Sequence, residues 1–167
     1  MAKIELYLIR HGIAAEHGTY ANDDERPLTE DGIRKTRRVA KRLFDLNIRF
    51  SLILTSPLPR ARQTADILQT YRLSAQLEEQ MALAPGGDIA IWLSWLQNWR
   101  QTGGDCLALV GHEPDLGEWA EMLIWGSARQ NLIVKKAGVI GLLLPESESP
   151  IGRSQLFWFA PPRLILE

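Results

Sequence analysis

The chain has 167 residues, 46% hydrophobic and 23% charged, a composition that fits one globular domain with a sizeable core and excludes a disordered polymer. Nineteen basic residues against twenty acidic ones give a net charge of −1, so no global field draws nucleic acid or an anionic membrane, and any anion must be bound locally. The single cysteine, Cys106, excludes an internal disulfide and a multi-cysteine metal site; in the apolar run CLALV it is expected to be buried in packing.

Residues 3–9 are nearly continuously apolar, the pattern of a strand covered on both faces. After a polar loop, LTEDGIRKTRRVAKRLFDL predicts a helix. Thr29 is its N-cap, Glu30 and Asp31 lie in its first turn, and Ile33, Thr36, Ala40, Leu43 and Phe44 face inward. The basic run RKTRRVAKR falls at outward positions and reads as a solvated face, not a nucleic-acid patch. SLILTS predicts a second strand, and PRARQTADILQTY a second helix with Ala61, Thr64, Ala65 and Leu68 inward. A short strand is suggested at 75–77. GGDIAIWLSWLQNWRQTGG predicts a helix between glycines, and its Trp92, Trp95 and Trp99 form one stripe whose ordinary use is core packing. CLALVGH predicts a further strand and PDLGEWAEMLIWG the helix after it. The tail, KKAGVIGLLL and RSQLFWFAPP, reads as two strands joined by the turn-rich PESESPIG.

Strands alternating with helices imply a three-layer α/β/α sandwich: a mostly parallel sheet with an antiparallel C-terminal edge, forming a single domain over 1–167. The N-terminus lacks the order of a signal peptide and no apolar stretch could span a bilayer, so a cytoplasmic location is expected. In such sheets ligands bind beyond the carboxyl ends of the strands. Three predicted strands finish in groups suited to one anion: Arg10-His11-Gly12, Ser56-Pro57-Leu58-Pro59-Arg60 and Gly111-His112-Glu113-Pro114. Arginine forks onto phosphate oxygens, Gly12 allows close backbone approach, and two imidazoles offer a nucleophile and a proton carrier. A helix starting after His112, with Pro114 in its first turn, could add backbone N–H groups. His17 reads as a loop histidine, Arg62 as a solvated helix residue and Ser56 as a strand terminator. His11 and His17 lack the spacing of helical metal ligands, so no metal is expected.

LIRHG, TSPLPRARQTA and LVGHEP, in order and each at an apolar strand, resemble the histidine phosphatase (phosphoglycerate mutase-like) superfamily, and DDERPLTEDG resembles its small SixA-type branch. The resemblance implies a phosphoglycerate mutase-like fold and His11 as the nucleophile that becomes phosphorylated. Arg10, Arg60 and His112 would hold the phosphoryl oxygens, with Gly12 and Glu113 as further phosphate or substrate contacts and Arg26 either contacting the substrate or bracing its loop. No cofactor or metal is implied, because the arginines take the electrostatic role of Mg²⁺. The implied activity is hydrolysis of protein phosphohistidine; small phosphate esters such as sugar phosphates and a non-catalytic phosphate-binding module are the alternatives. The implied partner is a phosphohistidine-bearing protein, a histidine-phosphotransfer domain being one candidate, and the chain is expected to act as a monomer without nucleic acid or membrane. Larger relatives carry a carboxylic acid and a lid. Here the candidate acids are Glu78, Glu79 and Asp88, Ala82 stands near the family's acid position, and no residue is assigned.

Overall fold

The computed structural model describes residues 3–166. Six strands, β1 (Ile4–Arg10), β2 (Leu52–Thr55), β3 (Leu77–Glu79), β4 (Cys106–Gly111), β5 (Val139–Leu144) and β6 (Gln155–Ala160), form one sheet in the order β3-β2-β4-β1-β5-β6. The first four in that order run parallel, and β5 and β6 add the antiparallel edge. Alternation along β1 explains the layering. Ile4, Leu6 and Leu8 enter a core with Leu107, Leu109, Trp92 and Leu123, on the side covered by α3 (Ile89–Trp99) and α4 (Asp115–Trp125). Tyr7 and Ile9 enter a second core with Val39, Leu43, Ala61 and Leu68, from α1 (Glu30–Asp45) and α2 (Pro59–Thr70). The fold is therefore the expected three-layer sandwich.

The α1 cap is as predicted: Thr29 Oγ1 accepts the Gly32 N–H at 2.9 Å. Its inner stripe is Gly32, Thr36, Val39, Ala40 and Leu43, leaving Ile33 and Phe44 only half-buried. At Gly32 a Cβ would overlap the Ile13 carbonyl, so the chain after β1 packs tightly on this face of the helix, and Phe44 still packs against the core from its edge. The short strand starts at Leu77, not residue 75, because the Ser74 hydroxyl binds the Gln76 N–H and C=O in a turn that precedes pairing with β2. Pro114 precedes α4 as its N-cap residue, and the short C-terminal helix α5 (Pro162–Ile165) was not anticipated. Trp92 is fully buried against Trp119, whereas Trp95 and Trp99 are half-buried and stack on each other at 5.7 Å. Cys106 is half-buried, its thiol pushed up to about 12 first by burial and then by Glu5 and Asp105. Among the described residues no helix is long and apolar enough to cross a membrane.

The pairing register sets the site. Arg10 lies opposite Gly111 and Thr55 opposite Val110, so β1, β4 and β2 end at one level. The ladder continues one step further, with His11 N–H donating to Gly111 O at 3.0 Å and Ser56 N–H to Val110 O at 2.9 Å.

Candidate active site

His11 begins the loop after β1 and is only 5% exposed. Its Nδ1 lies 2.6 Å from the Gly12 carbonyl oxygen. A carbonyl only accepts, so Nδ1 carries the proton and Nε2 keeps its lone pair, the nucleophilic tautomer. The loop is tied to α2: Gly12 N–H donates to Thr64 Oγ1 at 3.0 Å, and that hydroxyl donates to the Arg60 carbonyl at 2.8 Å. Close approach, not backbone conformation, requires glycine at 12, because a Cβ there would overlap Thr36 Oγ1.

His112 comes from the equivalent turn after β4, and the two imidazole centroids are 5.2 Å apart. His112 Nε2 is 2.8 Å from Ser56 Oγ, which also accepts the Leu58 N–H. Arg60, in the first turn of α2, is buried and sends Nη1 toward the Asp24 carbonyl at 3.4 Å; Arg10 Nη1 donates to the Val134 carbonyl at 3.1 Å. Neither guanidinium has a carboxylate ion-pair partner among the described residues. Among all described residues five side-chain polar atoms are buried without a hydrogen-bond partner, and three belong to this group: Arg10 Nε, Arg60 Nε and His112 Nδ1. A buried unpaired donor costs about 1–3 kcal/mol, more when charged, so such a concentration marks a place shaped for something other than the fold.

Burial pushes both imidazoles down to about 3. For His11 the Gly12 carbonyl opposes this, while His112, Arg60 and Arg10 lower it further; for His112 the added causes are Arg60, Arg10 and Arg26. Both rings are therefore neutral at pH 7, between guanidiniums that stay charged. A neutral nucleophile among fixed cations suits attack on an anionic tetrahedral centre.

The remaining sequence candidates are placed as follows. Arg26 is buried: Nη1 donates to the Ala15 carbonyl at 2.8 Å and Nε pairs with Asp23 at 2.9 Å, bracing the loop while its charge reaches His112 and Arg60. Glu113 turns to the Gly117 N–H at 2.8 Å; burial raises its pKa, and Arg10 opposes the rise. Asp88 caps α3 through the Ala90 N–H, Glu79 faces Arg62 at 3.9 Å, and Glu78 is exposed on β3. Buried Ala82 lies in a single 3₁₀ turn, Met81–Leu83, whose Leu83 carbonyl packs near Gly111 at the end of β4. That stretch beside the site offers no acid. His17 is exposed and pairs with Asp23, and Arg62 pairs with Asp66 on the surface. Among the described residues no cluster of His, Cys, Asp and Glu could hold a metal ion. Sequence reasoning gave Thr64 no role at the site and saw in Ser56 only a strand end. The available signal was their placement, Thr64 one helical turn after Arg60 and Ser56 at the carboxyl end of β2.

Residues 6–84 match the histidine phosphatase superfamily (branch 1). The phosphohistidine phosphatase SixA of Escherichia coli K12 is 30% identical over 115 residues, 68% of this chain and 70% of that protein. An uncharacterised protein of Picosynechococcus is 50% identical over 139 residues, 83% of this chain and 84% of its own length. The solved structure of the protein histidine phosphatase SixA complexed with tungstate superposes with a TM-score of 0.84 at 26% identity, covering 97% of this chain and 99% of that one. These likenesses support phosphatase activity. The chain belongs to the histidine phosphatase superfamily, in its SixA-type branch.

Proposed function

We propose that the protein hydrolyses protein phosphohistidine through a phosphorylated His11. The observation that carries this reading is the group of buried, unpartnered nitrogens, Arg10 Nε, Arg60 Nε and His112 Nδ1, whose side chains act on an imidazole with a free Nε2 lone pair. That a SixA relative is solved with tungstate, a tetrahedral oxyanion, supports the same use of the site.

In the first step His11 Nε2 bonds to phosphorus as the substrate P–N bond breaks in line, while the guanidiniums meet the charge on the equatorial oxygens. If Ser56 donates its proton to His112 Nε2, the His112 proton sits on Nδ1 and adds a third donor. In the second step water attacks phosphorus, the His11 P–N bond breaks, inorganic phosphate forms and the water proton leaves to solvent. A phosphohistidine whose other ring nitrogen is protonated departs as neutral imidazole, so no acid has to supply a proton. An alkoxide, far more basic, would need one. The apolar turn at Ala82 therefore favours the phosphoramidate substrate over a phosphate ester.

Quenching turnover of a radiolabelled phosphohistidine protein should trap acid-labile phosphate on the wild-type chain and none on His11→Ala. In steady state, kcat/KM on that substrate should exceed kcat/KM on sugar phosphates. Faster turnover of a sugar phosphate would overturn the substrate assignment, and phosphate trapped equally on His11→Ala would overturn the mechanism.

A further inference from the structure

Beside the His11 site lies a cleft of about 930 Å³, shared with it through Arg10. It opens at the same end of the sheet, between α1, the turn before β5 and the residues after β6. Arg10 and Ile13, which bracket His11 and Gly12 in the chain, both line it. Its walls carry six cations, Arg10, Lys35, Arg38, Lys135, Lys136 and Arg163, and among the described residues no carboxylate. In a chain of net charge −1 this is a marked local excess. Among the described residues only Lys35 of the six has a carboxylate within ion-pair distance, Asp31 at 3.7 Å. The cations reinforce one another's field: after burial, Arg10 and Arg26 are what hold the Lys136 ammonium below its ordinary value. Ile13, Ala137, Pro161, Pro162 and Leu166 supply apolar lining, and Thr36, whose buried Oγ1 lies against Gly12 without a hydrogen-bond partner, lines it too.

A phosphoryl group fills only the His11 site, and the cleft is many times larger. Its open form, basic walls and apolar lining fit an amphipathic protein surface better than a single small anion. We propose that this cleft receives a carboxylate-rich surface of the phosphorylated protein, adjoining the histidine whose phosphoryl group enters the His11 site. The inference rests on the phosphohistidine reading above. Because the cations act on binding rather than on the reacting atoms, their effect falls on KM and on association, and it weakens with salt.

The test uses two synthetic peptides of equal length, each with one histidine phosphorylated by phosphoramidate, flanked either by glutamates or by glutamines. Wild-type protein should turn over the glutamate peptide with kcat/KM about tenfold to a hundredfold higher, through KM, and the gap should shrink at high salt. The triple variant Arg38→Glu, Lys135→Glu, Arg163→Glu changes only exposed side chains. It should lose that preference while its rate on the glutamine peptide stays within about twofold of wild type. Equal turnover of the two peptides by wild type, or a preference that survives in the triple variant, overturns the cleft assignment and leaves the phosphohistidine reading standing. Hydrolysis of small esters with neither peptide consumed overturns both. Tight inhibition by inorganic polyphosphate that the triple variant loses, with no peptide preference, reassigns the cleft to a small polyanion and overturns the protein-surface proposal.

Discussion

Thr64→Val is the most discriminating change to make in the shell around His11. The Thr64 hydroxyl is fully buried and makes two contacts, accepting the Gly12 N–H at 3.0 Å and donating to the Arg60 carbonyl at 2.8 Å. Valine keeps the shape and removes both. The two losses are unequal. The Arg60 carbonyl, four residues back in α2, still has the helical N–H of residue 64, whereas the Gly12 N–H is left buried with no acceptor. That orphan should cost about 1–3 kcal/mol of stability, read as a lower urea midpoint with an unchanged slope. Gly12 also supplies the carbonyl that holds the His11 tautomer, so movement of the loop misaims Nε2. A misplacement of a fraction of an ångström should lower kcat about tenfold to a hundredfold with little change in KM. Thr64→Ser, which keeps the hydroxyl, should recover most of the rate. If Thr64→Val keeps kcat within about twofold while losing the expected stability, Thr64 supports the fold only and does not position the nucleophile.

Arg60→Gln should lower kcat by about 10²–10³, the usual loss for one preorganised donor, and should also raise the pKa of both imidazoles, since Arg60 depresses each. Proton NMR titration of the two rings reads the second effect, and unmoved titrations would contradict the electrostatic account. The wild-type rings should titrate near 3 and not near 6.5. The sign for stability follows: below pH 6.5 the unfolded chain takes up protons that the folded chain refuses, so stability falls as pH drops from about 6.5 toward about 3. At pH 5 the loss is about 2 kcal/mol per ring, and urea unfolding of wild type against His112→Gln should show the variant losing less between pH 7 and pH 5.

The site was legible where burial made polar residues conspicuous. A strand covered on both faces has no structural use for Arg10 and His11 at its end, nor a second such strand for His112, and the register brings these ends level. Thr64 escaped because a threonine on the inner face of a helix looks like ordinary packing until its hydroxyl is seen to reach back to Gly12, 52 residues away. The basic cleft escaped for a related reason. Arg38, the Lys135–Lys136 pair and Arg163 stand on three segments, each reading alone as solvated charge, and only the fold sums them. On the inner face of α1, Phe44 packs against the core as expected, while Ile33 lies beside the stripe, since helical periodicity alone does not fix how far a face turns toward its neighbours. Helix α5, four residues starting at a proline, is too short for any periodic signal.

Two pairs of arginines divide by whether a carboxylate answers the charge. Arg26 is buried and paired with Asp23, and Arg62 is half-buried and paired with Asp66; each charge is answered within the fold. Arg10 and Arg60 are held by single backbone carbonyls, with burial lowering their pKa and a buried nitrogen of each left over. A carboxylate placed against them would stabilise the free protein, and it would compete for the donors that a phosphoryl group must use. Glu113, whose charge acts on Arg10, accepts the Gly117 N–H and forms no ion pair with either arginine among the described residues. The same logic applies at Ala82. A carboxylate there would ease departure of an alkoxide, but as an anion it would repel the dianion that the arginines attract; a substrate with a good leaving group makes that acid unnecessary. Uncompensated cations and an acid-free turn at Ala82 are thus two sides of one arrangement, an electrostatic well shaped for a phosphoryl group, and on the phosphohistidine reading proposed above the bond to be broken is already weak.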